Sequence, residues 1–168
     1  MASQTGRDAA VQKLGAMIKD IKIAMLTTVD ADGSLRSRPM ATQSTDFDGD
    51  LWFFTRADSP KVDEVRRDEA VNLSYAAPAK QRYVSISGTA RLVRDRAKAE
   101  ELWNPLLKAW FPQGLDDPDL ALLKVAVEKA EYWDSPSSTM VHLVGFVKAL
   151  ATGQPYKPGE NEKIDLAG

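Results

Sequence analysis

The sequence predicts a mainly β fold of the α+β class, an antiparallel barrel with peripheral helices. Two observations carry this. Six or seven short segments rich in β-branched and aromatic residues follow one another at hairpin spacing, with Asp-Gly turn signals at 30–34 (DADGS) and 46–50 (DFDGD). Helical periodicity is confined to four stretches between or beside them. The 168 residues, 43% hydrophobic and 27% charged, fit a single domain spanning 1–168. Loosely held tails are expected at 1–6 and 153–168.

Taken in order, the first helix is expected over 7–22. Val11, Leu14, Met17, Ile18 and Ile21 share one face, and Thr5 with Asp8 resembles a capping box. Strands follow at 23–29, 35–44 and 51–55, the last two joined by the 46–50 turn. In 35–44 the period of two puts Arg36, Arg38, Met40 and Thr42 on one side. Pro39 has no N–H for a ladder, so that strand belongs at an edge or carries a bulge.

Ser59 as N-cap and Pro60 at the first helical position start a short helix over 60–67. Three more strands are expected at 71–76, 82–87 and 89–93, the last two joined around Gly88. Asp95 caps a helix with Ala99, Leu102, Trp103 and Leu106 inward; Pro105 interrupts it, with Asn104 as a new cap. A loop covers 112–119. Residues 120–133 carry both signals: Leu, Ala, Glu and Lys favour a helix, but Leu123, Val125 and Val127 alternate, and the segment is read as a strand. Ser137 or Ser138 caps a last helix with Met140, Leu143, Val144, Val147 and Leu150 inward, ending at Gly153.

Composition excludes several functions. Lysine plus arginine number 22 and aspartate plus glutamate 24, so the net charge of -2 gives no electrostatic footprint for nucleic acid or anionic membrane. The absence of cysteine rules out disulfides, thiolate metal sites and cysteine nucleophiles. A single histidine, His142, rules out a multi-histidine metal site within one chain. There is no apolar run of membrane-spanning length and no apolar signal core, so a cytoplasmic protein is expected.

The segment Thr55-Arg56-Ala57-Asp58-Ser59-Pro60-Lys61 puts a strand end, a loop and a helix start in succession. A helix N-terminus presents unpaired N–H groups and partial positive charge, which disfavour a first-turn lysine unless an anion is bound. Taken alone, the segment is more simply a solvated lysine, because such dipole effects amount to only ~0.3–1 kcal/mol. Arg38, on the preceding strand, adds a second cation with a planar fork suited to phosphate oxygens, and Arg36 is its rival on the same face. The four tryptophans, Trp52, Trp103, Trp110 and Trp133, offer flat apolar surface. The charge run 63–69 (DEVRRDE) reads as a solvated helix face, and His142 receives no role.

Arg38-Pro39-Met40, Trp52-Phe53-Phe54-Thr55 and Ser59-Pro60-Lys61, in that order, resemble the FMN-binding core of the pyridoxamine 5'-phosphate oxidase-like superfamily. More narrowly, together with Glu131-Tyr132-Trp133-Asp134-Ser135-Pro136, they resemble its bacterial general stress protein branch. The resemblance covers about 13–150. It implies a split β-barrel homodimer with FMN at the interface, Arg38 and Lys61 on the phosphate, and Thr55 and Ser59 assisting. It also implies that the backbone around Pro39, Met40 and Phe54 borders the isoalloxazine, with Trp133 approaching from the partner chain.

The sequence departs from the oxidases themselves. They carry a basic residue at the position of Pro60 and an Arg-x-His element near the C-terminus; here no arginine follows Arg96. The expectation is therefore an FMN-binding stress-type protein, a candidate flavin-dependent oxidoreductase but not a pyridoxamine phosphate oxidase. The alternatives are a split barrel for deazaflavin or haem, and a non-catalytic flavin or redox sensor.

Overall fold

A computed structural model describes residues 4–43, 45–135, 139–157 and 159–167. Among them, helix α1 is Gln4–Ile18, followed by strands β1 (Ile23–Val29), β2 (Leu35–Ala41) and β3 (Asp50–Arg56) and helix α2 (Pro60–Arg67). Then come β4 (Ala70–Ala77), β5 (Arg82–Val93), α3 (Arg96–Leu102), β6 (Leu120–Asp134), α4 (Thr139–Thr152) and β7 (Glu160–Asp165). The strands pair antiparallel in the order β2-β1-β4-β5-β6-β3, with β7 added to β6. The sheet curls into a half-barrel with the helices at its periphery, the split barrel the sequence predicts. No described helix is long and apolar enough to cross a membrane.

The core fills the concave side. Leu14, Met17 and Ile18 of α1 meet Leu26, Phe53, Leu73, Ile86, Leu123 and Tyr132 from five strands. Each such side chain fully withdrawn from water contributes roughly 1.5–3 kcal/mol. Helix α1 starts and stops earlier than expected, so Thr5 lies inside it rather than at its cap. Ile21 is still buried, but in the turn that leads into β1.

Several expectations are corrected. The turn at 46–50 does not join paired strands: β2 pairs with β1, and β3 pairs with β6. The expected pair 82–87 and 89–93 is one strand, β5, with a register shift between Ser87 and Gly88. A glycine inside a strand marks a bulge as readily as a break. A Cβ at Gly88 would lie 2.1 Å from the Ala126 carbonyl oxygen, so only glycine fits where the pairing of β5 with β6 shifts register.

Asp95 caps α3 and Asn104 caps the 3-10 turn Pro105–Ala109, as expected, but Leu106 is exposed rather than inward. The 153–168 segment is not simply a loose arm. Its β7 pairs with β6 from Lys129 to Asp134, Leu166 is buried, and the Tyr132 hydroxyl donates to Glu162 at 2.9 Å. A Cβ at Gly159 would meet the Asp134 carbonyl oxygen at 2.3 Å, so glycine also permits this return to the sheet.

Helix α4 carries the expected apolar stripe, but Leu143, Val144, Val147 and Leu150 are exposed, with Phe146 beside them. Periodicity identifies an apolar stripe without identifying what covers it. The proposed caps Ser137 and Ser138 lie outside the described residues, and the surroundings of Met140 are likewise not described.

Candidate functional site

The half-barrel ends in two strands, β2 and β3, that do not pair with each other. The chain gathers its cations beside the end of this seam where β3 runs out. The cause is local: β3 ends at Thr55-Arg56, a three-residue loop follows, and Ser59-Pro60 starts α2. Val62 and Val65 pin the helix to the barrel. Ser59 holds the extended N-cap conformation (φ -78, ψ 150), yet its hydroxyl caps no backbone N–H. It accepts instead from Lys61 Nζ at 3.1 Å, and the same ammonium donates to Thr55 Oγ1 at 3.2 Å.

Thr55 is buried and Lys61 half-buried. Burial first, then the charge of Arg38, pulls the Lys61 ammonium below the usual lysine range, while the Glu64 carboxylate pulls the other way.

Across the seam, Arg38 is held on two sides. Its Nη1 donates to Thr28 Oγ1 and its Nη2 to Glu64 Oε2, each at 2.5 Å. The Thr28 hydroxyl in turn donates to Glu64 Oε2, and Arg36 Nη1 donates to Glu64 Oε1 at 3.1 Å. The Arg38 side chain is 18% exposed and that of Arg36 53%. Glu64 is 1% exposed, which corrects the reading of 63–69 as a wholly solvated face. Burial pushes the Glu64 carboxyl up, but bonds from Thr28 and Arg38 and the charges of Arg38 and Arg36 outweigh it, holding it below the usual range.

Three cations, Arg36, Arg38 and Lys61, therefore surround one carboxylate and leave two positive charges. At the rim, Asp30 pairs with Arg36 at 3.5 Å and Arg67 at 3.9 Å, which leaves that balance unchanged. Such a cluster can receive a dianion: Lys61 has a third N–H to give, the arginines have donors unused by Thr28 and Glu64, and the α2 N-terminus has no side-chain cap.

At the opposite end of the seam a cleft of about 330 Å³ opens, lined by Val11, Gly15, Thr42, Phe47, Leu51 and Phe53 among others. Its lining also includes Gln12, Lys19, Gln43, Asp46 and Asp50, so apolar and polar groups share it.

Residues 9–157 match the family described as pyridoxamine 5'-phosphate oxidase like. The chain belongs to that family. It is 32% identical over 158 residues to protein bli-3 of Neurospora crassa, covering 88% of this chain and 76% of that protein. The general stress FMN/FAD binding protein of Xanthomonas citri is 31% identical with a TM-score of 0.66, over 78% of this chain and 92% of its own. A candidate general stress protein 26 of Jannaschia sp. CCS1 shares the fold at a TM-score of 0.75 and 24% identity, over 94% of this chain and 99% of its own.

Within this pyridoxamine 5'-phosphate oxidase-like chain, the residues singled out from sequence separate into three groups. Arg38, Thr55, Ser59 and Lys61 come together around the α2 start. Pro39 and Met40 follow Arg38 along the seam, Pro39 exposed and Met40 buried in the core. Phe54 lies on β3, partly buried, its ring edge-on to Trp103 at 5.9 Å between centroids.

Trp133 is remote. Thr55 pairs with Ala121 at the start of β6, and Trp133 lies twelve residues further along that strand. Register also runs from Arg38 through Leu26, Leu73 and Ile86 to Ala130, so Trp133 stands four strands across the sheet and three residues along from Arg38, on the order of 20 Å away. Trp133 is exposed beside the buried Tyr132 and so faces outward, whereas Arg38 shares the inward side of β2 with the buried Met40, which keeps Trp133 from the cation cluster of its own chain.

Thr28 and Glu64 were missed by the sequence reading. A signal for Glu64 was present: it sits three residues after Lys61, hence on the same side of α2, and next to the inward Val65.

Proposed function

We propose that this protein binds FMN, with Arg38 and Lys61 on the phosphate and Thr55 and Ser59 assisting. The observation that carries the reading is the pair of surplus positive charges beside an uncapped helix start. A terminal phosphate monoester is a dianion of matching charge, and arginine's fork suits its oxygens. Arg38 is preferred to Arg36 because it is the less exposed of the two and its charge is felt at Lys61.

The backbone around Pro39, Met40 and Phe54 would border the isoalloxazine along the unpaired seam. The cleft at its far end, with Phe47, Leu51 and Phe53 among its walls, would give the ring room. The FMN/FAD binding named for the Xanthomonas citri relative agrees with a flavin ligand. When bound, the flavin supplies the redox chemistry. Arg38, Lys61, Thr55 and Ser59 would hold the phosphate, and the backbone of β2 and β3 would hold the ring. We read the protein as a flavin-dependent oxidoreductase rather than a pyridoxamine phosphate oxidase, because no arginine after Arg96 can clamp a second phosphate.

We further propose a homodimer with FMN at the interface. Strand register aligns Ile23 with Ala41, and Tyr83 with both Ala76 and Trp133, on the outer face of the sheet. Ile23, Tyr83 and Trp133 are all exposed there, with Met25 two residues along β1 from Ile23. An apolar row of this extent suits an interface between copies. A second copy is also what would allow Trp133 to approach a flavin.

The test is the absorption spectrum of the purified protein, followed by titration with FMN and riboflavin. A flavin spectrum and markedly tighter FMN binding support the reading. A haem or deazaflavin spectrum, or equal affinity for the two flavins, overturns it.

A further inference from the structure

We propose that Glu64 is a positioning residue for the phosphate-binding arginines, acting with Thr28 to hold Arg38 and Arg36 toward the incoming dianion. The inference rests on the FMN reading above and goes beyond it, because a carboxylate in an anion site is unfavourable on charge alone.

Both Glu64 oxygens are committed: Oε2 accepts from Arg38 and from the Thr28 hydroxyl, and Oε1 accepts from Arg36. Thr28 closes the ring by also accepting from Arg38. The arrangement ties α2 to β1 and β2 at one point, on the helix that also brings Lys61 against Thr55. Burying a carboxylate this deeply is a poor source of stability, since an apolar residue of similar volume commonly does as well. What the carboxylate supplies is a single orientation for two long side chains that would otherwise sample many rotamers. Ordering them before the ligand arrives removes that cost from binding.

The proposal and its main rival predict opposite signs. If Glu64 acts only through its charge, Glu64→Gln removes a repulsion and FMN binds more tightly. If Glu64 positions the arginines, FMN binds more weakly and riboflavin, which lacks the phosphate, is unaffected.

The experiment is fluorescence titration of the full chain with FMN and riboflavin. The wild-type protein comes first: if it binds neither flavin, the FMN reading has failed and this inference falls with it. Given wild-type binding, Glu64→Gln is expected to raise the FMN Kd about tenfold and leave that of riboflavin within about twofold. In an Arg38→Ala background the same substitution should add less than about twofold, because residues acting through one another are not additive. Unchanged or tighter FMN binding overturns the proposal, as does an equal loss for both flavins, which marks a merely structural role. Should Glu64→Gln not fold, Thr28→Val removes only the bridging hydroxyl and is judged by the same criteria.

Discussion

Lys61→Met separates the binding role of the cation cluster from its cost to the fold. The lysine ammonium has three N–H donors, and two are engaged by Thr55 Oγ1 at 3.2 Å and Ser59 Oγ at 3.1 Å. One remains for a phosphate oxygen. A hydrogen bond to a charged partner is worth roughly 1.5–3 kcal/mol, so losing it should weaken FMN binding about 10- to 100-fold. Riboflavin affinity should stay within about twofold.

The flavin-free protein should respond in the opposite sense. Burial and the charge of Arg38 lower the Lys61 ammonium from its ordinary value of 10.5. Between the lowered value and 10.5 the unfolded chain holds more protons than the folded one, so stability contributed by this group rises with pH across that window. At neutral pH the charged lysine is a net cost to the flavin-free fold. Lys61→Met should therefore leave its Tm equal or higher while FMN binding collapses. Fluorescence titration and thermal melting of the same preparation read both quantities. An unchanged FMN Kd would refute the phosphate assignment. A fall in Tm equal to that of a core substitution would refute the account of its cost.

Light scattering at micromolar concentration should give about twice the 18.5 kDa chain mass, and Ile23→Lys should shift it toward the monomer; a wild-type monomer that still binds FMN tightly would sink the shared-site reading. Gly88→Ala should destabilise by about 3 kcal/mol, because its methyl meets a carbonyl oxygen 2.1 Å away, and a Tm within a degree of wild type would contradict the close approach of β6 to β5 at the register shift. Leu166→Ala should cost about 2–4 kcal/mol in chemical denaturation if β7 is part of the folded unit, and close to nothing if the tail is loose. Incubation of FMN-loaded protein with pyridoxamine phosphate and oxygen should give negligible pyridoxal phosphate; turnover near ~10 s⁻¹ would reveal a substrate clamp not recognised in this chain.

Local chemistry alone settled much of this protein. Strand β1, helix α2 and the caps of α3 and the 105–109 turn stand where periodicity, Ser59-Pro60, Asp95 and Asn104 put them, since period and capping are properties of a few adjacent residues. Arg38, Thr55, Ser59 and Lys61 were legible for the same reason, three of the four falling within seven residues of one strand-to-helix turn. Tertiary structure decided what depends on distant partners. It placed β3 beside β6 instead of β2, because pairing is chosen by the curl of the whole sheet and not by the turn between neighbours. It drew β7 onto β6, because Leu166 and Glu162 find partners in a strand some thirty residues earlier. It buried Glu64, which in sequence is one more charge in DEVRRDE, because two arginines of β2 and a threonine of β1 converge on it. A carboxylate's role is set by what compensates its charge, and those groups lie 26 to 36 residues away along the chain.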